Sequence, residues 1–154
     1  MRSLRPSEQG HKLEIPENHI FKGKDLRYIN LSGLDQDKEI FQEAQLIGAL
    51  FNHADLSSAT LRYTDFSQAV FTDASLISAT IYKATFRNAN LSKADLLATC
   101  TEITFERAVI EAANLRGARL KNVDFTRALF DQDPNLPAED ETEKTTFPLA
   151  FRLL

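Results

Sequence analysis

The chain of 154 residues has one cysteine, one methionine, no tryptophan, five glycines and five prolines. A single thiol, Cys100, excludes an intrachain disulfide and a four-cysteine zinc site. A thiol-linked dimer would need oxidising surroundings. No apolar run approaches the roughly 18 residues of a membrane-spanning helix. Met1 to Gly10 holds no hydrophobic segment of the kind that directs secretion, so the expected location is the cytoplasm, away from any membrane. No glycine-rich phosphate loop, HExxH motif or closely spaced ligand cluster is found. The sequence therefore points to no cofactor, no metal and no catalytic residue, and is read as that of a protein that is not an enzyme.

An excess of one charge is also missing from the body of the chain. Residues 21–130 hold 13 Lys or Arg and 13 Asp or Glu, whereas residues 131–154 hold two and six. The net charge of -4 thus belongs to the tail. A neutral body argues against direct nucleic-acid binding, which depends on neutralising phosphates with cations. At 17.4 kDa, with 43% hydrophobic and 26% charged residues, the chain has the size and composition of one soluble domain.

What the sequence does contain is a period of five. Large apolar residues recur at Phe21, Leu26 and Leu31, and again at Phe41, Leu46, Phe51, Leu56, Leu61, Phe66, Phe71, Leu76, Ile81, Phe86, Leu91 and Leu96. Gln36 alone interrupts this register. Small residues stand two positions earlier, as at Ala44, Ala49, Ala54, Ala59, Thr64, Ala69 and Ala74. The pattern resumes one position early at Phe105, Ile110, Leu115, Leu120, Phe125 and Phe130, and nine of the 11 phenylalanines fall on such centres. A five-residue period fits neither a 3.6-residue helix nor a two-residue strand alternation. A solvated low-complexity segment would not carry bulky apolar residues at this spacing.

Segments such as Ala54-Asp55-Leu56-Ser57-Ser58, Ala89-Asn90-Leu91-Ser92-Lys93 and Ala94-Asp95-Leu96-Leu97-Ala98 resemble the A(D/N)LXX motif of the pentapeptide-repeat family. The resemblance implies an all-β solenoid, a right-handed quadrilateral parallel β-helix with four pentapeptides per coil. Residues 21–130 would form about five and a half coils, with nonrepeat segments at 1–20 and 131–154. At about 4.8 Å per coil this is a rod on the order of 26 Å long. In that geometry Leu26, Leu46, Phe66, Phe86, Phe105 and Phe125 form one interior column, and Leu31, Phe51, Phe71, Leu91, Ile110 and Phe130 the next. The small residues keep a narrow tube from overpacking. Asp55, Asp65, Asn90, Asp95, Asn114 and Asp124, each just before a centre, are suited to local backbone hydrogen bonds at corners.

Several features depart from the repeat. The spacing of nine between Leu96 and Phe105 makes one coil a residue short near Thr99-Cys100-Thr101. Cys100 there is either a buried small hydrophobe or a reactive thiol, and no neighbouring motif favours the second. Residues 32–40 are poor in apolar residues yet preserve the ten-residue distance from Leu31 to Phe41, which leaves no room for a long projecting loop. Arg5 to Ile20 reads as an N-terminal cap and Asp131 to Thr146 as an acidic linker. Phe147, Leu149, Phe151, Leu153 and Leu154 then form either an apolar cap in cis or a homodimer contact.

On the exterior, His53, Asp73 and Lys93 share a column, which is read as solvated surface. Arg87 with Glu106 and Arg62 with Tyr82 are expected pairs. Leu50, Val70, Val109 and Leu129 form an apolar column interrupted by Asn30 and Asn90; they suit either local corner packing or contact with another protein. Asp35, Asp55 and Asp95 mark an acidic face broken by Ser75 and ended by Asn114. Two functions follow. The first is a noncatalytic scaffold or protein-interaction module whose protein partner is unidentified. The second, implied by the resemblance, is a DNA-mimicking regulator or protector of DNA gyrase. That reading is weakened by the neutral body and by the absence of the projecting loops carried by family members that act on type II topoisomerases.

Overall fold

The chain turns a corner every five residues, and this is why every fifth residue faces inward. The structure is a computed structural model and describes residues 21–33, 41–131, 134–138 and 141–149. Five short strands define one side: β1 Thr60–Arg62, β2 Thr80–Tyr82, β3 Thr99–Thr101, β4 Arg119–Lys121 and β5 Thr142–Glu143. They pair in parallel, in chain order, with Leu61, Ile81, Cys100 and Leu120 in register. Isolated parallel bridges form the other three sides, such as Asp25 to Gln45 to Asp65 to Thr85, and Asp55 to Ser75 to Asp95 to Asn114. The step is 20 residues, falling to 19 across residues 96–100. This is the right-handed quadrilateral β-helix that the resemblance implies.

Hydrogen bonding within one pentapeptide explains the repeat. In Ala54 to Ser58, the Ala54 amide donates to Phe51 O at 3.0 Å and closes a turn. The Leu56 and Ser58 amides donate to the next coil, at Ser75 O and Ile77 O, both 2.8 Å. That leaves the Ser57 amide, which donates to the Asp55 carboxylate at 3.0 Å. The same side-chain bond recurs from Ser32 to Asn30, Ser67 to Asp65, Ser92 to Asn90, Leu97 to Asp95, Arg116 to Asn114 and Thr126 to Asp124. The aspartates and asparagines before the centres are therefore structural acceptors, each replacing water at a backbone amide the ladder cannot reach.

The second corner residue adopts positive φ at sixteen non-glycine positions among the described residues, including His53, Tyr63, Asp73 and Lys93. Such turns normally favour glycine. Here the ladder offsets the strain, because the amide of this residue donates to the coil above, as His53 does to Thr72 O and Tyr63 to Tyr82 O.

Inside, the centres are almost wholly buried and stack by type. Phe66, Phe86, Phe105 and Phe125 form a continuous pile with centroids 5.0, 5.0 and 4.6 Å apart. Phe51 and Phe71 stack at 4.8 Å in the neighbouring column and meet Phe66 edge-on. Each aromatic pair contributes about 0.5–1.5 kcal/mol beyond burial of its area. Ala49, Ala69, Ala89 and Ala108 fill the space that remains. On the side of the five strands the corner lacks the usual closing turn bond, and there the small position takes Thr64, Ala84, Ile103 and Val123, all buried. Thr64 compensates with its own hydroxyl, which donates to Phe41 O at 2.9 Å.

The missing residue falls between Leu96 and Cys100, which lie four apart instead of five. Cys100 occupies a full centre, between Ile81 and Leu120, and Ala98 takes the small position. At the other end the ladder does not stop at Phe130. Asn135 bridges Asn114, Thr142 and Glu143 pair with Leu120 and Lys121, and Thr146 bridges Asp124. The described part of the stretch read as an acidic linker is thus a further, looser coil. Its steps of 21 and 22 residues hide it from a search at period five. Phe147 stacks on Phe125 at 5.2 Å and closes the aromatic pile within the same chain.

Candidate interaction faces

A functional site on this rod must be assembled on its outside, because the interior is filled. The expected Arg87–Glu106 pair is present at 3.0 Å, and Glu106 also accepts from Arg127 at 3.3 Å. The expected cation–π contact of Arg62 with Tyr82 is replaced by another. Arg62 and Tyr82 are register partners, but the ammonium over the Tyr82 ring belongs to Lys83, 5.1 Å from its centroid. Tyr63 meets the same ring edge-on.

His53, Asp73 and Lys93 occupy equivalent exposed corners, and no described side chain joins them into a site. Cys100 is buried, and desolvation pushes its thiol up to about 12. That places it with inert structural thiols rather than nucleophilic ones. Among the described residues no group of three or more His, Cys, Asp or Glu is placed to hold a metal ion. No helix of the described residues is long and apolar enough to cross a membrane. A shallow depression of about 470 Å³ beside β4 and β5 is lined by Thr99, Thr101, Arg119, Lys121, Glu141 and Glu143. Its two cations face two carboxylates, with Lys121 paired to Glu143 at 3.0 Å, so it offers no net charge to an ionic ligand.

The acidic face is sparse. Asp55, Ser75, Asp95, Asn114 and Asn135 form its ladder, and the Asp55 and Asp95 carboxylates accept the amides of Ser57 and Leu97. Asp35 lies outside the described residues. So do Phe151, Leu153, Leu154 and the segment Arg5 to Ile20.

The apolar column is continuous. Asn30, Leu50, Val70, Asn90, Val109 and Leu129 are consecutive rungs of one parallel ladder. Leu50, Val70 and Val109 are half-buried and Leu129 is 56% exposed. Each of these four stands where the repeat uses aspartate or asparagine. Where Asn30 and Asn90 remain, the amides of Ser32 and Ser92 have their side-chain acceptor. After Leu50, Val70 and Val109 the amides of Asn52, Thr72 and Glu111 have none among the described residues. Sequence reading found the column but not this loss of hydrogen bonding, which emerges only from the ladder. Leu149, at the end of the rod beyond Phe147, is 74% exposed.

A family model described as pentapeptide repeats matches residues 40–76, 69–100 and 86–127. The chain belongs to the pentapeptide-repeat family. Among solved pentapeptide-repeat structures, alr5209 from Nostoc Pcc 7120 is 27% identical, with a TM-score of 0.56 over 63% of this chain and 84% of its own. A pentapeptide-repeat protein of the Arabidopsis thaliana thylakoid lumen is 22% identical, with a TM-score of 0.49 over 64% and 68%. A trypsin-treated form of QnrB1, a plasmid-mediated fluoroquinolone resistance protein, is 16% identical over 86% of each chain, with a TM-score of 0.41. A comparison with curated proteins finds no match.

Proposed function

We propose that this pentapeptide-repeat rod is a noncatalytic protein-interaction or scaffold module, and that the Leu50–Val70–Val109–Leu129 ladder is its contact face. The observation that carries this reading is the set of apolar side chains on one ladder, at positions where the other three sides carry polar residues. At Asp55, Asp65, Asp95, Asn114 and Asp124 the repeat completes its own hydrogen bonds. On the apolar ladder it gives up a bond of roughly 1 kcal/mol at each such position and presents hydrocarbon in its place. Among the described residues, acceptors are also missing after Gln45, Ser75, Thr85 and Thr104, but only this ladder replaces them with hydrocarbon. An apolar column kept to one side of a rod whose other rungs are polar is a surface suited to contact.

DNA mimicry toward gyrase gains no support from the charge pattern. The acidic ladder carries two described carboxylates among five rungs, and the body of the chain is neutral.

The test is a binding panel from native lysate, with one substitution on the apolar ladder and one on each of two other sides. Leu129→Arg should abolish capture, while Thr80→Arg and Thr85→Arg should preserve it. A reproducible turnover activity lost on one surface substitution would overturn the noncatalytic reading.

A further inference from the structure

We infer that the apolar ladder is a homodimer face, on which a second copy of the chain packs side by side with both rods pointing the same way. This rests on the contact-face reading above and names its occupant. Beyond Asn30 the ladder reads Leu50, Val70, Asn90, Val109, Leu129, five rungs symmetric about Asn90. Two copies laid face to face therefore match leucine to leucine, valine to valine and asparagine to asparagine, whether parallel or antiparallel. Such self-complementarity is what a two-fold interface requires, since one patch must serve both sides.

The flanking columns choose the orientation. One corner beside the ladder carries Gln68, Asn88, Arg107 and Arg127; the other carries Thr72, Ser92, Glu111 and Asp131. A two-fold axis along the rods brings each corner opposite the other. Arg107 then faces Glu111 of the second copy, a pair that occurs twice, whereas Arg127 and Asp131 one rung on are already engaged within their own rod, with Glu106 and the Ala112 amide. Neutral Gln68 and Asn88 meet neutral Thr72 and Ser92. In the antiparallel arrangement each corner meets itself, so Arg107 would face Gln68 and Glu111 would face Thr72, with no ion pair formed. Charge complementarity thus selects the parallel dimer.

Asn90 sits at the middle rung. Its side-chain oxygen accepts from the Ser92 amide and hydroxyl at 3.0 and 2.7 Å, which holds the carboxamide in place. In the dimer its amide nitrogen is left to meet the Asn90 of the second copy. A central polar pair penalises any slip by one coil, because the slip would set Asn90 against valine. The ladder from Leu50 to Leu129 is four steps, about 19 Å. A single apolar column of that length falls at the low end of specific interfaces, so the dimer is weak and concentration-dependent.

Sedimentation equilibrium of the full chain, from about 1 to 500 μM, tests this, with melting curves confirming that each variant is folded. The native chain should show a reversible monomer–dimer equilibrium. Arg107→Glu alone and Glu111→Arg alone should each raise the dissociation constant about tenfold, and the double variant should restore it to within about threefold. Neither side chain has a described partner within its own rod. A native chain monomeric throughout would overturn the inference, as would a dimer indifferent to both reversals or a double variant that is not restored. A dimer lost instead on removing residues 148–154 would place the contact at the end of the rod and also overturn it. A monomeric chain that still captures a different protein through Leu129 would leave the contact-face reading standing.

Discussion

The ring of Phe147 lies parallel to that of Phe125, 5° from coplanar with centroids 5.2 Å apart. Phe147 also meets Phe130 at 6.4 Å, so its side chain covers the open core of its own rod. Phe147→Ser should lower stability by about 2–3 kcal/mol, through lost stacking and exposure of the Phe125 face. The measurement is urea unfolding, with mass checked by sedimentation. A change in mass without a change in stability would instead make Phe147 an interface residue.

The small inward column sets the bore of the tube. Ala74 is 2% exposed and lies beside the Leu76 and Phe71 centres. Ala74→Leu should destabilise the chain by about 1–3 kcal/mol through overpacking. Ile103 sits at the corresponding position on the strand side, where the corner is not tied by a turn bond, and Ile103→Ala should destabilise by creating a cavity. Opposite signs of volume change with the same sign of effect, read by unfolding, would establish that each of the two positions is filled to its own volume.

Much of the interior was legible before the structure because stacked coils convert a five-residue period into straight columns. The Phe66–Phe86–Phe105–Phe125 pile and the Arg87–Glu106 pair both follow from spacing alone. Three things were not legible. The final coil carries Asn135, Thr142 and Thr146 at steps of 21 and 22 residues, so no period marks it. Spacing placed Arg62 beside Tyr82 but could not show that Lys83, next in the chain, reaches over the ring. The contact ladder was visible as a column, but its missing corner acceptors show only when each backbone amide is followed to its partner.

Cys100 gives a pH dependence. Its folded value, pushed up to about 12, lies above the roughly 8.5 of a free thiol, so the unfolded chain loses its proton first. Stability from this group is fully present below about pH 8.5 and is lost as pH rises toward 12. Cys100→Ala should therefore flatten the decline of the unfolding midpoint across pH 9–11 relative to the native chain. A thiol reagent should label the native protein only at the rate of unfolding. Immediate labelling at pH 7 would contradict the burial assigned here.

Restoring the corner acceptor separates stability from contact. Val70→Asn places at rung 70 the residue found at rungs 30 and 90, and supplies an acceptor for the Thr72 amide. Stability should be unchanged or rise by up to about 1 kcal/mol, because the new bond offsets the lost hydrocarbon packing. Self-association should weaken at the same time. Loss of stability without loss of association would show that Val70 serves local packing instead.

The contact face itself is tested most directly by photo-crosslinking from single benzophenone side chains placed at position 109 on the ladder, 88 at the corner beside it, and 80 and 78 on the strand side and its corner. Irradiation of native lysate and of the purified chain should give protein adducts from position 109 at about five times the yield from position 80, with crosslinked dimer as the main product in the purified sample. Equal yields from all four positions, or a maximum from position 80 or 78, would contradict the assignment of the Leu50–Leu129 ladder as the surface through which this protein acts.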